Sequence, residues 1–239
     1  TGLYMSKMTA ISLFSGAGGL DIGFERAGFR IVFANEFDHD AARTWCANRP
    51  ECSRAMREGD IAELLPELKQ YRGAVDILFG GPPCQGFSVA GKMDPNDSRS
   101  EHIFTFLKAV QLVEPKFFVM ENVKALGTLE KWATVRNRYL STAADLGYTV
   151  GFAVFHTAEY GVPQKRDRVI FVGVRNGTPR AFFDEMAKLK SPAPTAREVL
   201  LSVGKYGSLL NPDTCAATIT LAKRPIMRKS PYAGMLVNG

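Results

Sequence analysis

Cysteine and histidine are scarce in this chain, with four cysteines (Cys46, Cys52, Cys84 and Cys215) and three histidines in 239 residues. No two cysteines form a CxxC pair, and no Cys/His group has zinc-like spacing, so neither a disulfide framework nor a metal site is expected. Long apolar runs are also missing. The longest, at residues 75–81 and 116–120, have strand length and fall far short of the roughly 20 residues of a membrane helix. There is no charged-then-apolar leader ahead of a small-residue cleavage site, and a reduced, cytoplasmic protein is the expectation. Internal repeats and low-complexity tracts are absent, which excludes solenoids and linker-like arrays. What is present is an ordinary globular composition, 46% hydrophobic and 23% charged, enough for one α/β domain with an appendage. The net charge of +6 agrees with a polyanionic partner, but many basic proteins bind no nucleic acid, and charge alone decides little.

Runs rich in β-branched and aromatic residues alternate with helix-period segments. Strands are expected at 10–14, 30–34, 75–79, 117–121, 149–156 and 168–174. Helices are expected at 20–27, closed by Gly28, at 39–48 with Asp38 as N-cap, at 100–113 and at 129–146. Strand and helix in alternation imply right-handed parallel crossovers, hence an α/β fold with an open, doubly wound, mostly parallel, Rossmann-like sheet. Ligands of such sheets collect outside the carboxyl ends of the strands. Beyond Gly177 the periodicity weakens, residues 191–194 read as a linker, and the tail from Asn211 is basic, with Lys223, Arg224, Arg228 and Lys229. The expected division is therefore an extension at 1–9, a domain at 10–178 and a further region at 179–239.

The first strand ends in Ser15-Gly16-Ala17-Gly18-Gly19. Glycines there allow a tight turn and a close ligand approach at a helix start. The dinucleotide fingerprint GxGxxG is incomplete, because Asp21 stands where its third glycine would be, which argues against a pyrophosphate site. Glu36 closes the second strand, placed to accept both hydroxyls of a ribose, and Phe37 beside it offers a flat face for a base. Asp60, after Gly59, can accept from an exocyclic amine. A glycine turn alone is often merely structural; joined to Glu36 it points to a nucleoside-containing cofactor.

The third strand ends in Gly80-Gly81-Pro82-Pro83-Cys84-Gln85-Gly86-Phe87-Ser88. Two prolines fix the backbone before Cys84, and a thiol in a constrained polar loop is displayed rather than packed. A bare Pro-Pro-Cys would still read as a loop cysteine without a task. The surroundings change that reading: Glu121-Asn122-Val123 ends the next strand, and Gln164-Lys165-Arg166-Asp167-Arg168 enters the last one. A cysteine, a glutamate and two arginines at neighbouring strand ends form an active-site set, in which the arginines can lower a thiol pKa or hold a phosphate or a pyrimidine carbonyl.

Taken in order, Phe14 to Leu20, Asn35 to Asp38, Gly59 to Ile61, Gly81 to Ser88, Glu121 to Val123 and Gln164 to Arg168 resemble the signature motifs of the DNA (cytosine-5)-methyltransferases. The resemblance covers roughly residues 10–175. It implies a methyl donor, S-adenosylmethionine, in a pocket lined by Phe14, Ser15, Gly16, Gly18, Gly19, Glu36, Phe37, Asp60, Ile61 and Pro82. It implies Cys84 as nucleophile, Glu121 at the ring nitrogen N3, and Arg168 and Arg166 at the base carbonyl, phosphate or thiolate. Gln85, Ser88, Asn122 and Gln164 would contact the substrate, and residues 88–100 would close over a base flipped from double-stranded DNA. A bacterial restriction–modification setting, at the nucleoid, goes with this layout. Residues 179–239 would be a linker and the start of the family's target-recognition region; the remainder of that region and the closing motifs do not follow. Two expectations stay open: a split enzyme with its recognition half on a second polypeptide, or a truncated chain. An RNA cytosine methyltransferase and a catalytically idle homologue are the competing readings; the incomplete glycine fingerprint disfavours a nicotinamide oxidoreductase.

Overall fold

The computed structural model describes residues 8–83 and 101–202, with side chains as far as residue 199. Seven strands occur among them: β1 (Thr9–Leu13), β2 (Arg30–Glu36), β3 (Met56–Glu58), β4 (Ile77–Gly80), β5 (Phe117–Val123), β6 (Tyr148–His156) and β7 (Asp167–Arg175). They form one sheet in the order β3-β2-β1-β4-β5-β7-β6. The helices are α1 (Gly19–Arg26), α2 (His39–Ala47), α3 (Ile61–Leu68), α4 (His102–Val113), α5 (Lys124–Thr128), α6 (Ala133–Asp145), α7 (Arg180–Lys188) and α8 (Ala196–Ser202). The described residues fall into two compact units, one ending at Ala193 and one beginning at Pro194. In the second unit Thr195 and Glu198 exchange the reciprocal bonds of a capping box at the start of α8. No helix of the described residues is long and apolar enough to cross a membrane.

The mostly parallel α/β sheet expected from the sequence is found. Strands β1, β2, β3, β4 and β5 all pair in parallel. The strand order turns between β1 and β4, so the crevice outside their carboxyl ends is the topological switch point. The final two strands depart from the parallel pattern: β7 pairs antiparallel with both β5 and β6. Only residues 157–166 connect β6 to β7, too few for the crossover that a parallel pair needs. The amino end of β7 therefore arrives at the edge where the parallel strands finish.

Central strands read as continuous apolar runs because helices cover both faces. On one face Ile11, Leu13, Leu78, Phe118 and Met120 pack with Ile103, Phe106 and Val110 of α4. On the other, Ala10, Ile31, Ile77 and Phe79 pack with Trp45 of α2, and Phe24 of α1 stacks on Phe79 at a centroid separation of 3.8 Å. The sequence reading misses β3, α3, α5, α7 and α8. β3 is three residues long, and α3 is eight residues long with Pro66 inside it, so neither shows a sustained period. The expected helix at 129–146 divides into a 3-10 turn at Glu130–Trp132 and α6. Asp38 caps α2 as expected, accepting from the Ala41 amide.

A polar chain crosses the second face. Asp21 is fully buried. It accepts from the Trp45 indole Nε1 at 2.8 Å and from the Ser12 hydroxyl at 3.1 Å, and the Ser12 and Ser15 hydroxyls share a bond of 2.8 Å. Asp21 thus stands where a third glycine would let helix and strand approach directly, and ties β1, α1 and α2 together through hydrogen bonds. Burial raises its pKa, opposed by the bonds from Trp45 and Ser12.

Replacing Trp45 with Phe leaves the Asp21 carboxylate short of a donor and is expected to cost about 1–3 kcal/mol in urea unfolding. With its folded-state pKa raised, Asp21 favours folding most below its unfolded pKa, near about 4, and that contribution is lost as pH rises through the folded pKa. The lost indole bond served the ionised form, so the Trp45→Phe deficit is expected to be larger near neutral pH than near about pH 4. An equal deficit at both would contradict this account.

Candidate active site

The ladder between β4 and β5 sets the first half of the site. Gly80 lies opposite Met120, so residues 81 and 82 continue alongside Glu121 and Asn122. A Cβ built on Gly81 would stand 3.0 Å from Glu121 Oε2, so a side chain there would press on the carboxylate by a few tenths of an ångström. Asn122 is 1% exposed. Its Nδ2 donates to the Pro82 carbonyl at 3.2 Å and its Oδ1 accepts from the Val123 amide at 2.9 Å. The segment that leads into Cys84 is thereby fastened to β5. Cys84, Gln85, Ser88 and the expected closing stretch at 88–100 lie outside the described residues.

The reversed strand supplies the partner of Glu121. Ile170 faces Glu121 across the β5–β7 ladder, and Arg168, two residues earlier, falls on the same side of the sheet in the diagonal position. Arg168 Nε meets Glu121 Oε1 at 2.6 Å, with each side chain about a quarter exposed (24% and 27%). Its Nη1 also donates to the Asp167 carbonyl at 2.8 Å. Arg166 is exposed and lies apart from this pair, in a shallow pocket of about 410 Å³ with His156, Thr157, Lys165 and Asp167. The same turn carries Gln164, exposed, whose carbonyl accepts from the Thr157 hydroxyl at 2.5 Å. His156 Nδ1 and Lys124 Nζ hold the Asp167 carboxylate at 2.6 and 3.1 Å, and the His156 bond, then that of Lys124, lowers its pKa.

The other half surrounds the glycine turn. Phe14 leaves β1 with φ 54°, a left-handed conformation unusual for an aromatic residue, and its ring meets that of His102 edge-on at 5.8 Å. The Ser15 hydroxyl points inward to Ser12. Glu36, at the end of β2, accepts from the Gly16 amide at 2.7 Å and from the Phe37 and Asp38 amides at 2.9 and 2.8 Å. A carboxylate offers about four lone-pair sites, so accepting both hydroxyls of a ribose requires at least one of these amides to give way. Phe37 is 75% exposed beside it. Asn35 Nδ2 donates to the carbonyls of Arg57 and Gly59 at 3.1 and 2.9 Å, holding the next loop in place. Asp60 caps α3 through Oδ1, accepting from Ala62 at 2.9 Å. Ile61 is 2% exposed and belongs to the core. Gly19 opens α1, and Cβ atoms at Gly16 or Gly19 would meet nothing within 4 Å. A glycine turn with open space, two carboxylates and an exposed ring suit a nucleoside that carries free ribose hydroxyls and an amino group.

Sequence reasoning did not single out Asn35 as a loop anchor, nor Ser12, Trp45, Arg49, Lys124 and His156. A signal existed for two of them: Trp45 and Arg49 are four apart, as are Asp21 and Glu25, and those two pairs face each other. A wider cleft of about 810 Å³, lined by Ala17, Ile22, Glu25, Asn48, Arg49 and Cys52 among others, includes neither Glu121 nor Arg168.

Comparison with known proteins shows the family to which the chain belongs. Residues 8–219 match the family described as C-5 cytosine-specific DNA methylase. The chain is 39% identical to the Type II methyltransferase M1.HphI of Haemophilus parahaemolyticus, over 73% of this chain and 48% of that protein. It is 38% identical to the Type II methyltransferase M.AquIA of a Picosynechococcus species, over 84% of this chain and 83% of that one. A solved DNA modification methyltransferase encoded in an Escherichia coli prophage shares the fold, with a TM-score of 0.67 and 30% identity over 83% of this chain and 56% of its own. The chain thus spans about half the length of relatives such as M1.HphI. It belongs to the C-5 cytosine-specific DNA methylase family.

Proposed function

We propose that this chain carries the catalytic and cofactor-binding part of an enzyme that methylates C5 of cytosine in a specific duplex DNA sequence, as the modification activity of a restriction–modification system. The observation that carries the reading is the Glu121–Arg168 pair at 2.6 Å, set against Gly81, three residues before Cys84. Type II methyltransferases among the relatives support the substrate class.

Cytosine C5 is a weak nucleophile, and the chain's residues have the chemistry to change that. The Cys84 thiolate adds to C6, and the electron pair of the C5–C6 double bond moves into the ring as an enamine. Glu121 holds or protonates N3, where negative charge would otherwise accumulate, and Arg168 fixes the carboxylate and adds positive charge beside the ring. After C5 is methylated its proton departs, the C5–C6 double bond re-forms and Cys84 leaves as thiolate. S-adenosylmethionine, when bound, supplies an electrophilic methyl group on a sulfonium. Gly16, Gly18 and Gly19 would give it backbone approach, Glu36 would take its ribose, Phe14, Phe37 and Pro82 would flank it, and Asp60 would accept from its amine. C6 cannot be reached inside a stacked duplex, so the target base must swing out. Gln85, Ser88 and Gln164 are proposed to receive it, and Arg166, exposed with Lys165, to meet the neighbouring phosphate.

Transfer of labelled methyl to mixed-sequence duplex DNA, with the chain alone and with any polypeptide encoded beside it, tests this reading. Cys84→Ser is expected to bring transfer to background, and Glu121→Gln to lower kcat by about 10²–10⁴-fold. Transfer indifferent to Cys84, or a preference for transfer RNA over duplex DNA, would overturn it. Asn122→Ala leaves the Pro82 carbonyl and the Val123 amide without their partner. It is expected to cost about 1–3 kcal/mol of stability in urea and to lower kcat more than it changes the cofactor KM.

A further inference from the structure

We propose that Arg49 is a positioning residue of the methyl-donor site, strapping the glycine turn into its binding conformation from behind; this rests on reading that turn as the S-adenosylmethionine site. Arg49 lies just past the end of α2, and its side chain is 5% exposed. A guanidinium buried to that degree is costly unless it is paired and hydrogen-bonded. Its Nε and Nη2 donate to Glu25 of α1 at 2.8 and 2.9 Å. Nη2 also donates to the Gly18 carbonyl at 3.1 Å. The guanidinium carbon lies 4.8 Å from the centroid of the Trp45 ring.

Gly18 is where this strap acts on the turn. It adopts φ 91° as the N-cap of α1, and its carbonyl also accepts from the Ile22 amide at 3.2 Å. A Cβ on Gly18 would lie 2.3 Å from Arg49 Nη1 and 2.8 Å from its guanidinium carbon. The guanidinium therefore fills the space that a side chain at 18 would take, and glycine is needed for room as well as for its backbone angle. Nη1 is buried and has no hydrogen-bond acceptor among the described residues. A charged donor left in that state costs stability, and what it gains in position is contact with the turn. Nη1 reaches no solvent, and the bond from Arg49 to the turn is the one that Nη2 makes to the Gly18 carbonyl.

The turn needs such support. Phe14, at φ 54°, is a non-glycine residue in a conformation that persists only when its surroundings over-determine it. Gly16 and Gly18, at 56° and 91°, reach theirs without strain but have many other conformations open to them unless they are held. Two rungs join α1 to α2. Asp21–Trp45 is neutral on one side and wholly internal; Glu25–Arg49 is ionic and ends on the turn. The first rung serves the fold and the second presets the turn, so that a ligand need not order it on binding.

Arg49→Lys tests the assignment in the full-length protein. A lysine keeps the charge beside Glu25, but its single ammonium lacks the fork that reaches the carboxylate and the Gly18 carbonyl together. The dissociation constant of S-adenosylhomocysteine and the KM for S-adenosylmethionine are expected to rise about tenfold, with kcat at saturating cofactor within about twofold of wild type and faster amide exchange at residues 16–19. Glu25→Gln, which keeps an acceptor and loses the counter-charge, is a milder variant expected to raise the same constants about threefold, and it serves if Arg49→Lys does not fold. Wild-type affinity in the variant that folds, or a fall in kcat with the cofactor KM unchanged, would overturn the strap. Wild-type protein that binds no S-adenosylhomocysteine would overturn the cofactor-site reading itself.

Discussion

The direction of β7 is the constraint on which the site depends. Were it parallel to β5, its amino end would lie at the far edge of the sheet, and the run Gln164 to Arg168 would be remote from Glu121. Running antiparallel, it delivers Arg168 to the edge where β1, β2, β4 and β5 all finish. The short link from β6 enforces that direction. The carboxyl-end rule for ligand sites in open sheets is thus met by one strand arriving amino end first.

Around that edge the chain uses buried side-chain amides and one half-buried carboxylate as fasteners. Asn122 holds the Pro82 carbonyl, and Asn35 holds the Arg57 and Gly59 carbonyls. Each is 1% exposed and lies at or near the end of its strand, where the next loop would otherwise leave unpaired carbonyls. Glu36 does the same for amides, drawing residues 16, 37 and 38 onto one carboxylate. The loops that would carry the proposed chemistry are consequently set by strand ends, and a change in one fastener would move their backbone without altering a residue proposed to touch substrate.

Much of this was legible in the sequence because the strand-end clusters are short and chemically distinctive. Glu36, Asp60, Glu121 and Arg168 all stand at the edge expected of them, since a strand's end follows closely from where its apolar run stops. What the sequence hid depends on pairing across distance. Arg166 and Arg168 read alike, yet only Arg168 reaches Glu121, because strand register selects one and leaves the other in an exposed turn. Ile61 and the Ser15 hydroxyl, expected at the pocket, face the core and Ser12, as local motif spacing does not fix which way a side chain turns. Arg49 was silent for the same reason: an arginine after a helix looks like surface until α1 is packed against α2.

The central claim is that Cys84 forms a covalent bond to the target base with Glu121 and Arg168 beside it. Duplex DNA bearing 5-fluorocytosine in place of cytosine tests it most directly, because a fluorine at C5 cannot depart as the proton does, and the thiolate is not released. Incubated with the full-length enzyme and S-adenosylmethionine, such DNA should give a denaturant-stable complex whose peptide digest places the linkage on Cys84. No stable complex, or a linkage to Cys46, Cys52 or Cys215, would contradict the account.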